Sequence, residues 1–153
     1  MGKTLVAYFS ASGVTARAAK NIANEIGADL YEMRPVEPYT SADLDWTNRK
    51  NRSSVEMNDP DFRPAIAEPV EDMAQYDTIL VGFPTWWYVE PRIVDTFLER
   101  YDFSGKTMIP FATSGGSGIE RAAQSVQAHC PSAEWQPGKL VNPANAAAWA
   151  KSL

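Results

Sequence analysis

Hydroxyl-bearing and glycine residues cluster where an apolar run meets a helical pattern near the start of the chain. The apolar run covers residues 5–9, and it is followed by Ser10, Ala11, Ser12, Gly13, Val14 and Thr15. Backbone N–H groups at a helix N-terminus, together with the helix dipole, favour a bound anion. Phosphate binding is one interpretation of this loop, and plain helix capping by hydroxyl groups is the other. The loop has neither the lysine of the nucleoside-triphosphate motif nor the glycine spacing of the dinucleotide motif.

A second cluster places aromatic residues in succession after another apolar run, residues 78–83. The cluster consists of Pro84, Thr85, Trp86, Trp87 and Tyr88. Three consecutive aromatic side chains cannot all enter the core from one short connection. Some of them must lie at the surface or against a ligand, and flat rings suit a flat conjugated ligand. A packing lid or a protein interface is the alternative.

A third loop, rich in serine and glycine, follows the apolar run at residues 107–112. It consists of Thr113, Ser114, Gly115, Gly116 and Ser117. Glycines allow close approach of the backbone to a ligand, and exposed amides can donate to ring carbonyls. The alternative is a flexible turn that ends in a helix cap, since Ser117 and Glu120 match the capping box.

Apolar patterns predict the elements that position these loops. Strands are predicted at residues 5–9, 29–33, 78–83, 107–112 and within 134–141, and helices from Val14 to Gly27, from about Pro91, from Ser117 and after Asn142-Pro143. This alternation predicts an α/β doubly wound domain with a parallel sheet. In such a sheet ligands bind at the carboxyl ends of the strands, where all three loops begin.

Three local features complete the structural prediction. Pro110 in the fourth strand indicates a bulge or a missing ladder bond. The last helix is expected to turn Trp149 and Leu153 inward. Residues 35–75 show no regular pattern, and a connection of that length is typically functional or mobile.

Composition and charge exclude several classes of function. The chain has 153 residues and a net charge of −5, which argues against binding of nucleic acid. It has no apolar stretch long enough to span a bilayer, and the predicted first strand leaves no room for a signal peptide. The single cysteine, Cys130, is compatible with a reducing cytoplasm, so we expect a cytoplasmic protein with no membrane insertion.

Other chemistries find little support in the sequence. Cys130 is not followed by the arginine of a phosphatase loop, and the chain has a single histidine, His129. A structural role is favoured for His129 over a role as ligand or base, and no metal site is predicted. Trp46 and Trp135 are interpreted as packing residues, although Trp46 lies where it could fold over a ligand.

Taken in order, the three loops resemble the flavodoxin family, in particular bacterial flavodoxin-like proteins with a long segment between strands two and three. The motifs are SASGVT, GFPTWWYVEP and FATSGGSG, and the resemblance covers nearly the whole chain. It implies one domain over residues 1–153, with a five-stranded sheet in the order 2-1-3-4-5 and helices on both faces. It also implies non-covalent FMN, with its phosphate in residues 10–15 and its isoalloxazine between residues 84–88 and 113–117.

The resemblance implies an electron-transfer protein, and no residue is predicted to be catalytic. Its partners would be redox proteins with a basic docking face, steered by acidic rim residues such as Glu90. An NAD(P)H-dependent quinone reductase is the alternative, and a non-redox binding module on the same fold is a third.

The sequence departs from the common family pattern in three places. Val14 stands where such proteins commonly have asparagine, which removes one hydrogen bond that braces the loop. Residues 113–118 contain no aromatic residue to cover the second face of the flavin ring, so that face is covered by Tyr88, is covered by residues 35–75, or remains open. Residues 84–91 contain neither glycine nor asparagine, which argues against strong stabilisation of a one-electron-reduced flavin.

Overall fold

Strands and helices alternate along the chain in the computed structural model, which describes residues 3–11, 13–44, 47–48, 50–113 and 118–153. In chain order the elements are β1 (Lys3–Tyr8), α1 (Val14–Ile26), β2 (Asp29–Glu32), α2 (Arg52–Asn58), β3 (Tyr76–Pro84), α3 (Arg92–Arg100), β4 (Thr107–Thr113), α4 (Glu120–His129), β5 (Glu134–Trp135), β6 (Lys139–Leu140) and α5 (Ala146–Lys151). A single turn of 3-10 helix, Met73–Gln75, leads into β3.

The strands form one parallel sheet in the order β2-β1-β3-β4-β5, with β6 also paired to β4. The doubly wound fold and the predicted 2-1-3-4-5 order are therefore confirmed. The polar strand β2 lies at the edge of the sheet.

The fifth position of the sheet is divided between β5 and β6 beside Pro110. Met108 and Ala112 accept hydrogen bonds from Gln136 and Val141, so the edge of β4 that faces these strands also includes Pro110. Proline has no N–H to donate there. A Cβ on Gly138 would lie 2.1 Å from the Pro110 carbonyl oxygen, so only glycine fits at the break. The predicted loss of a ladder bond at Pro110 is thus confirmed, and the neighbouring strand is interrupted there and divided into β5 and β6.

Alternation along the strands builds a separate core on each face of the sheet. In β1, Leu5 and Ala7 pack against α3 and α4, whereas Val6 and Tyr8 pack against α1 and α5. This is the period of two that side chains follow along a strand. Since both faces are covered, the central strands are buried and apolar over their middle residues, 5–8, 79–83 and 108–112.

The predicted helices are present, with differences at their ends. α1 begins at Val14 and ends at Gly27, which has a left-handed backbone. α4 begins at Glu120, while Ser117 lies outside the described residues. None of the described helices is long and apolar enough to cross a membrane.

The last helix begins three residues later than Asn142-Pro143 predicted. Asn142 and Asn145 each donate a backbone N–H to the side-chain oxygen of the other, at 2.9 Å, and form an additional turn before α5. The helix then ends at Lys151, so Leu153 follows it and is 55% exposed. The prediction that Leu153 faces inward is wrong, whereas Trp149 packs against the core on the α1 side.

Residues 35–75 contain ordered structure that the sequence pattern did not predict. Pro35 and Ile66 form an antiparallel bridge, and α2 lies between them in the chain. Asn51 caps α2 by accepting from the Ser54 N–H at 2.8 Å. The buried residues of α2 are Ser53, Ser54 and Glu56, so the helix has a polar inner face and no apolar periodicity.

Candidate functional site

Three loops leave neighbouring strands at the carboxyl edge of the sheet. The parallel register pairs Tyr8 with Gly82 and Pro84 with Thr113. The loops after β1, β3 and β4 therefore begin side by side. This is the edge at which open parallel sheets bind ligands.

The loop after β1 presents the N-terminus of α1 with few competing groups. Gly13 is the N-cap at φ 96°, no side chain of the described residues caps the helix, and its first turn contains no acidic residue. The Gly13 N–H donates to Ser10 Oγ at 3.0 Å, while Ser12 lies outside the described residues. Val14 opens the helix, and the nearby cation Arg17 is exposed in its first turn. The donors and the dipole at this helix start suit an anion.

Thr113, the last residue of β4, joins all three loops. Its hydroxyl oxygen lies 2.7 Å from that of Thr15, and both side chains are buried. Its carbonyl oxygen accepts a hydrogen bond from the Thr85 N–H at 3.0 Å. One residue thus holds the loop after β3 and the start of α1 in fixed positions relative to β4.

Residues 86–89, here called the aromatic turn, form a tight turn with an uncommon backbone. Trp86 and Val89 exchange backbone hydrogen bonds of 2.8 and 3.2 Å. Between them Trp87 and Tyr88 have φ values of 50° and 74°. Such values cost about 1–3 kcal/mol per bulky residue and are concentrated at functional sites.

The three aromatic side chains diverge, as predicted. Trp86 is half-buried, whereas Trp87 and Tyr88 are 47% and 54% exposed. The Tyr88 ring lies 5.6 Å from the guanidinium carbon of Arg121, within cation–π range. The turn therefore presents two exposed rings beside the three loops.

Trp86 packs against two other rings in edge-on contact. Its centroid lies 5.7 Å from that of Phe9 and 5.4 Å from that of Tyr39. Tyr39 belongs to residues 35–75, so this segment supports the aromatic turn from the side.

Tyr39 is itself held by two charged residues of α2. Its hydroxyl donates to a Glu56 carboxylate oxygen, and the Arg52 guanidinium lies 3.8 Å from the ring centroid. Arg52 also donates to Glu56 at 2.9 Å. Burial, with the Glu56 carboxylate beside it, raises the pKa of Tyr39 far above its usual value. The hydroxyl therefore remains a hydrogen-bond donor at all physiological pH values.

Glu90, expected on the rim, is fully buried, and that expectation is wrong. The aromatic turn directs the chain inward after Val89, and the Glu90 side chain lies between α3 and α4. Ser125 donates its hydroxyl to Glu90 at 3.0 Å. Glu90 therefore cannot steer a partner.

Asp95 and His129 complete a buried polar group around Glu90. The His129 Nδ1 atom lies 3.4 Å from Asp95 and 3.6 Å from Glu90. One potential ligand atom from each residue lies within 4.8 Å of the others, a spacing that could hold a metal ion. The sequence did not predict this cluster, because His129 lies 34 positions from Asp95 and further still from Glu90.

Several predicted site residues lie outside the described residues or have a purely structural contact. Ser114, Gly115, Gly116, Ser117 and Trp46 are outside the part of the chain that the structure describes. Trp135 is half-buried and donates its indole N–H to the Cys130 carbonyl at 2.8 Å, which agrees with a packing role. Ala11 packs against the core on the α3 side. Pro84 ends β3 in line with Thr113.

Comparison with known proteins agrees with this fold. The sequence model of the flavodoxin family matches residues 3–152. A candidate flavoprotein from Bacteroides uniformis is 50% identical, with 98% of each chain covered and a TM-score of 0.93. One from Bacteroides eggerthii is 49% identical over 97% of this chain and 96% of the other, with a TM-score of 0.91.

A more distant structure shows a ligand. The flavoprotein of Lactobacillus acidophilus, solved in complex with FMN, is 25% identical over 99% of this chain and 100% of the other, with a TM-score of 0.78. No curated protein sequence matches this chain. Since the family match spans nearly every residue and the sheet order agrees with it, the chain belongs to the flavodoxin family.

Proposed function

We propose that this protein binds FMN non-covalently at the carboxyl edge of its sheet and transfers electrons between redox partner proteins. The observation that carries the proposal is the junction at Thr113, which unites the three loops through contacts of 2.7 and 3.0 Å. The FMN complex of the Lactobacillus acidophilus protein supports the same ligand.

The start of α1 fits a phosphate group. Its N-cap is a glycine, its first turn carries no acid, and among the described residues no side chain bonds to the cap. Residues 10–15 would hold the phosphate through backbone N–H groups and the hydroxyls of Ser10 and Ser12. Thr15 contributes its N–H and fixes Thr113, because its hydroxyl is already bonded there.

The aromatic turn and the loop after β4 fit a flat ring system. Residues 84–88 and 113–117 bind the isoalloxazine, with Trp87 and Tyr88 as the exposed rings available to contact it. FMN supplies the redox chemistry when bound. The residues of the chain bind it, orient it and exclude water, and none of them acts as a general acid or base.

The acidic chain sets the electrostatic surroundings and the kind of partner. A net charge of −5 disfavours additional negative charge on a reduced cofactor and attracts a partner with a basic face. The protein works in the cytoplasm in this proposal. Association with such a partner falls steeply as salt is added, since long-range attraction is screened.

An anaerobic reductive titration of the protein, reconstituted with FMN and followed by visible absorbance, tests the proposal. A one-electron-reduced form that accumulates before bleaching supports an electron carrier. Direct conversion to the two-electron-reduced form favours a reductase, and failure to bind FMN overturns both.

The second candidate is an NAD(P)H-dependent quinone reductase, and the exposure of Trp87 and Tyr88 favours it. Exposed rings at the rim leave room for a second flat molecule to stack. Steady turnover of a quinone with NADPH, without any added protein, would establish this activity, whereas its absence leaves the carrier.

A further inference from the structure

Two buried carboxyl groups lie behind the aromatic turn with oxygens that lack partners. Glu90 and Asp95 are both 0% exposed. Among the described residues, nothing donates to Glu90 Oε1 or to either oxygen of Asp95. Two adjacent ionised carboxylates with a single hydrogen-bond donor, the Ser125 hydroxyl, are too costly to remain in a folded core, so a proton or a cation must compensate them.

The geometry of His129 argues for a proton. Its Nδ1 atom lies 2.8 Å from the Ser125 carbonyl oxygen, which can only accept. Nδ1 therefore carries hydrogen and has no lone pair to offer a metal. Asp95 Oδ1 lies 3.4 Å from the same nitrogen, but no hydrogen bond joins the two atoms.

The charged groups around Glu90 and Asp95 indicate which of the two carboxyl groups is ionised. The charged or titratable groups that face it are Arg92 and Glu99 on α3, His129 on α4 and Arg63 before β3. Arg92 lies 3.7 Å from Asp95 and also donates to the Met57 carbonyl at the end of α2. The positive charges of Arg92 and Arg63 thus lie nearer to Asp95 than to Glu90, which makes Asp95 the ionised member of the pair and Glu90 the protonated one.

We propose that Glu90 retains a proton at neutral pH and shares it with Asp95 in a hydrogen bond. In this proposal the Glu90–Asp95 pair is a pH-sensitive device that holds the aromatic turn against α3 and α4. Burial, reinforced by Asp95, raises the pKa of Glu90 to about 9. Burial also raises the pKa of Asp95, while Arg63 and Arg92 oppose that rise.

The link to the turn is covalent and short. Glu90 follows Val89, whose backbone bonds to Trp86 close the turn. When the proton leaves, two negative charges face one another without water, and the Glu90 carboxylate must move towards solvent. His129, with 24% of its side chain accessible, is the member of the cluster that reaches solvent. Movement of Glu90 pulls Val89 and releases Trp86, Trp87 and Tyr88.

A residue-resolved NMR titration of the full chain tests this. With isotope-labelled glutamate, the side-chain carboxyl resonance of Glu90 is identified by its loss in Glu90→Gln. We expect it to titrate near pH 9. The indole resonances of Trp86 and Trp87 are expected to shift with the same midpoint in the wild type, and to remain unchanged there in Glu90→Gln.

Glu56→Gln is the matched control, since it removes another buried carboxyl group and should leave the Glu90 midpoint in place. A Glu90 resonance that titrates in the ordinary acidic range of a glutamate, or indole signals that ignore its titration, overturns the proposal. Zinc chloride that binds in a 1:1 ratio and shifts Glu90 and His129 together would also overturn it, in favour of a metal site. All these measurements use the chain without FMN, so their outcome is independent of the proposed function.

Discussion

Two buried glutamates flank the aromatic turn, and their surroundings are opposite. Glu56, 2% exposed, accepts from the Tyr39 hydroxyl and from the Arg52 guanidinium. Glu90, 0% exposed, accepts from the Ser125 hydroxyl and has Asp95 and His129 atoms within 4.8 Å. The first site provides a hydrogen-bond donor for each carboxylate oxygen, whereas the second leaves Glu90 Oε1 without a donor among the described residues.

The difference explains how an acidic protein can bury two glutamates beside one loop. Charge-assisted hydrogen bonds compensate the desolvation of a carboxylate, and they also fix the groups that make them. Without such donors the group takes up a proton instead. One side of the aromatic turn is therefore held by ionic contacts through Tyr39, and the other by a contact that depends on pH.

The same substitution at both sites should give opposite results. Glu56→Gln is expected to lower the free energy of unfolding by about 2 kcal/mol, because a charge-assisted bond to Arg52 is lost. Glu90→Gln is expected to raise it at pH 7, by about 1 kcal/mol or more, because the variant is neutral without binding a proton. Urea denaturation measures both, and equal losses at the two sites would refute the comparison.

The sign of the Glu90 effect follows from its raised pKa. Folded Glu90 retains its proton up to a pKa of about 9, whereas unfolded glutamate loses it near its ordinary pKa of 4.5. The stabilisation is complete below the unfolded pKa and is lost as the pH rises towards the folded one. The advantage of Glu90→Gln over the wild type should therefore grow across that window.

Trp86 tests whether the ionic side of the turn matters for the ligand. Trp86→Ala should weaken FMN binding about tenfold, because the turn loses its packing against Phe9 and Tyr39. A tenfold change in Kd corresponds to about 1.4 kcal/mol of binding free energy. Phe9→Leu is the matched control, since it keeps an apolar side chain beneath Trp86 and should weaken binding less. Fluorescence titration with FMN gives both constants, and unchanged binding in Trp86→Ala would contradict the role of the turn.

The Thr15–Thr113 contact offers a neutral pair for comparison with the charged ones. Thr15→Val or Thr113→Val should each reduce stability by about 1 kcal/mol, since each leaves a buried hydroxyl without its partner. The double variant should lose little more than either single one. Additive losses in thermal or urea denaturation would show that the hydroxyls act separately.

Glu99 supplies the smallest effect, because its ion pair with Arg63 is exposed. The pair has contacts of 2.7 and 3.0 Å, with 43% of the Glu99 side chain accessible. Glu99→Gln should cost about 0.5 kcal/mol at pH 7 and less in high salt. Arg63 lowers the pKa of Glu99, so this contribution is present above the ordinary pKa and disappears as the pH falls through the lowered one. A loss as large as that of Glu56→Gln would show that burial is not the deciding factor.

Prediction from the sequence succeeded where local patterns carry the information. The apolar runs of β1, β3 and β4 and the stripe of α1 follow from side-chain periodicity, and the switch between the two periods predicted the parallel sheet. The break beside Pro110 followed from its missing N–H. The assignment of one domain to residues 1–153, and the roles of the individual site residues, remain predictions.

It failed where polar groups are buried against distant partners. α2 has an inner face of Ser53, Ser54 and Glu56, which resembles an exposed surface in any hydropathy pattern. Tyr39 in a segment without a pattern gave no sign that it packs against Trp86, 47 positions away. Glu90 is a charged residue in a loop, which favoured an exposed position on the rim, yet the structure buries it completely.

The strands, the helices and the places of the three loops along the chain are thus encoded locally, since a run of apolar side chains or a helical stripe determines its own element whatever lies beside it. The protonation of Glu90, the pairing of Glu56 with Arg52 and the junction at Thr113 are not. They depend on how much water remains around a polar group and on which donors lie within about 3 Å of it. Those quantities exist only once segments distant in sequence have packed together.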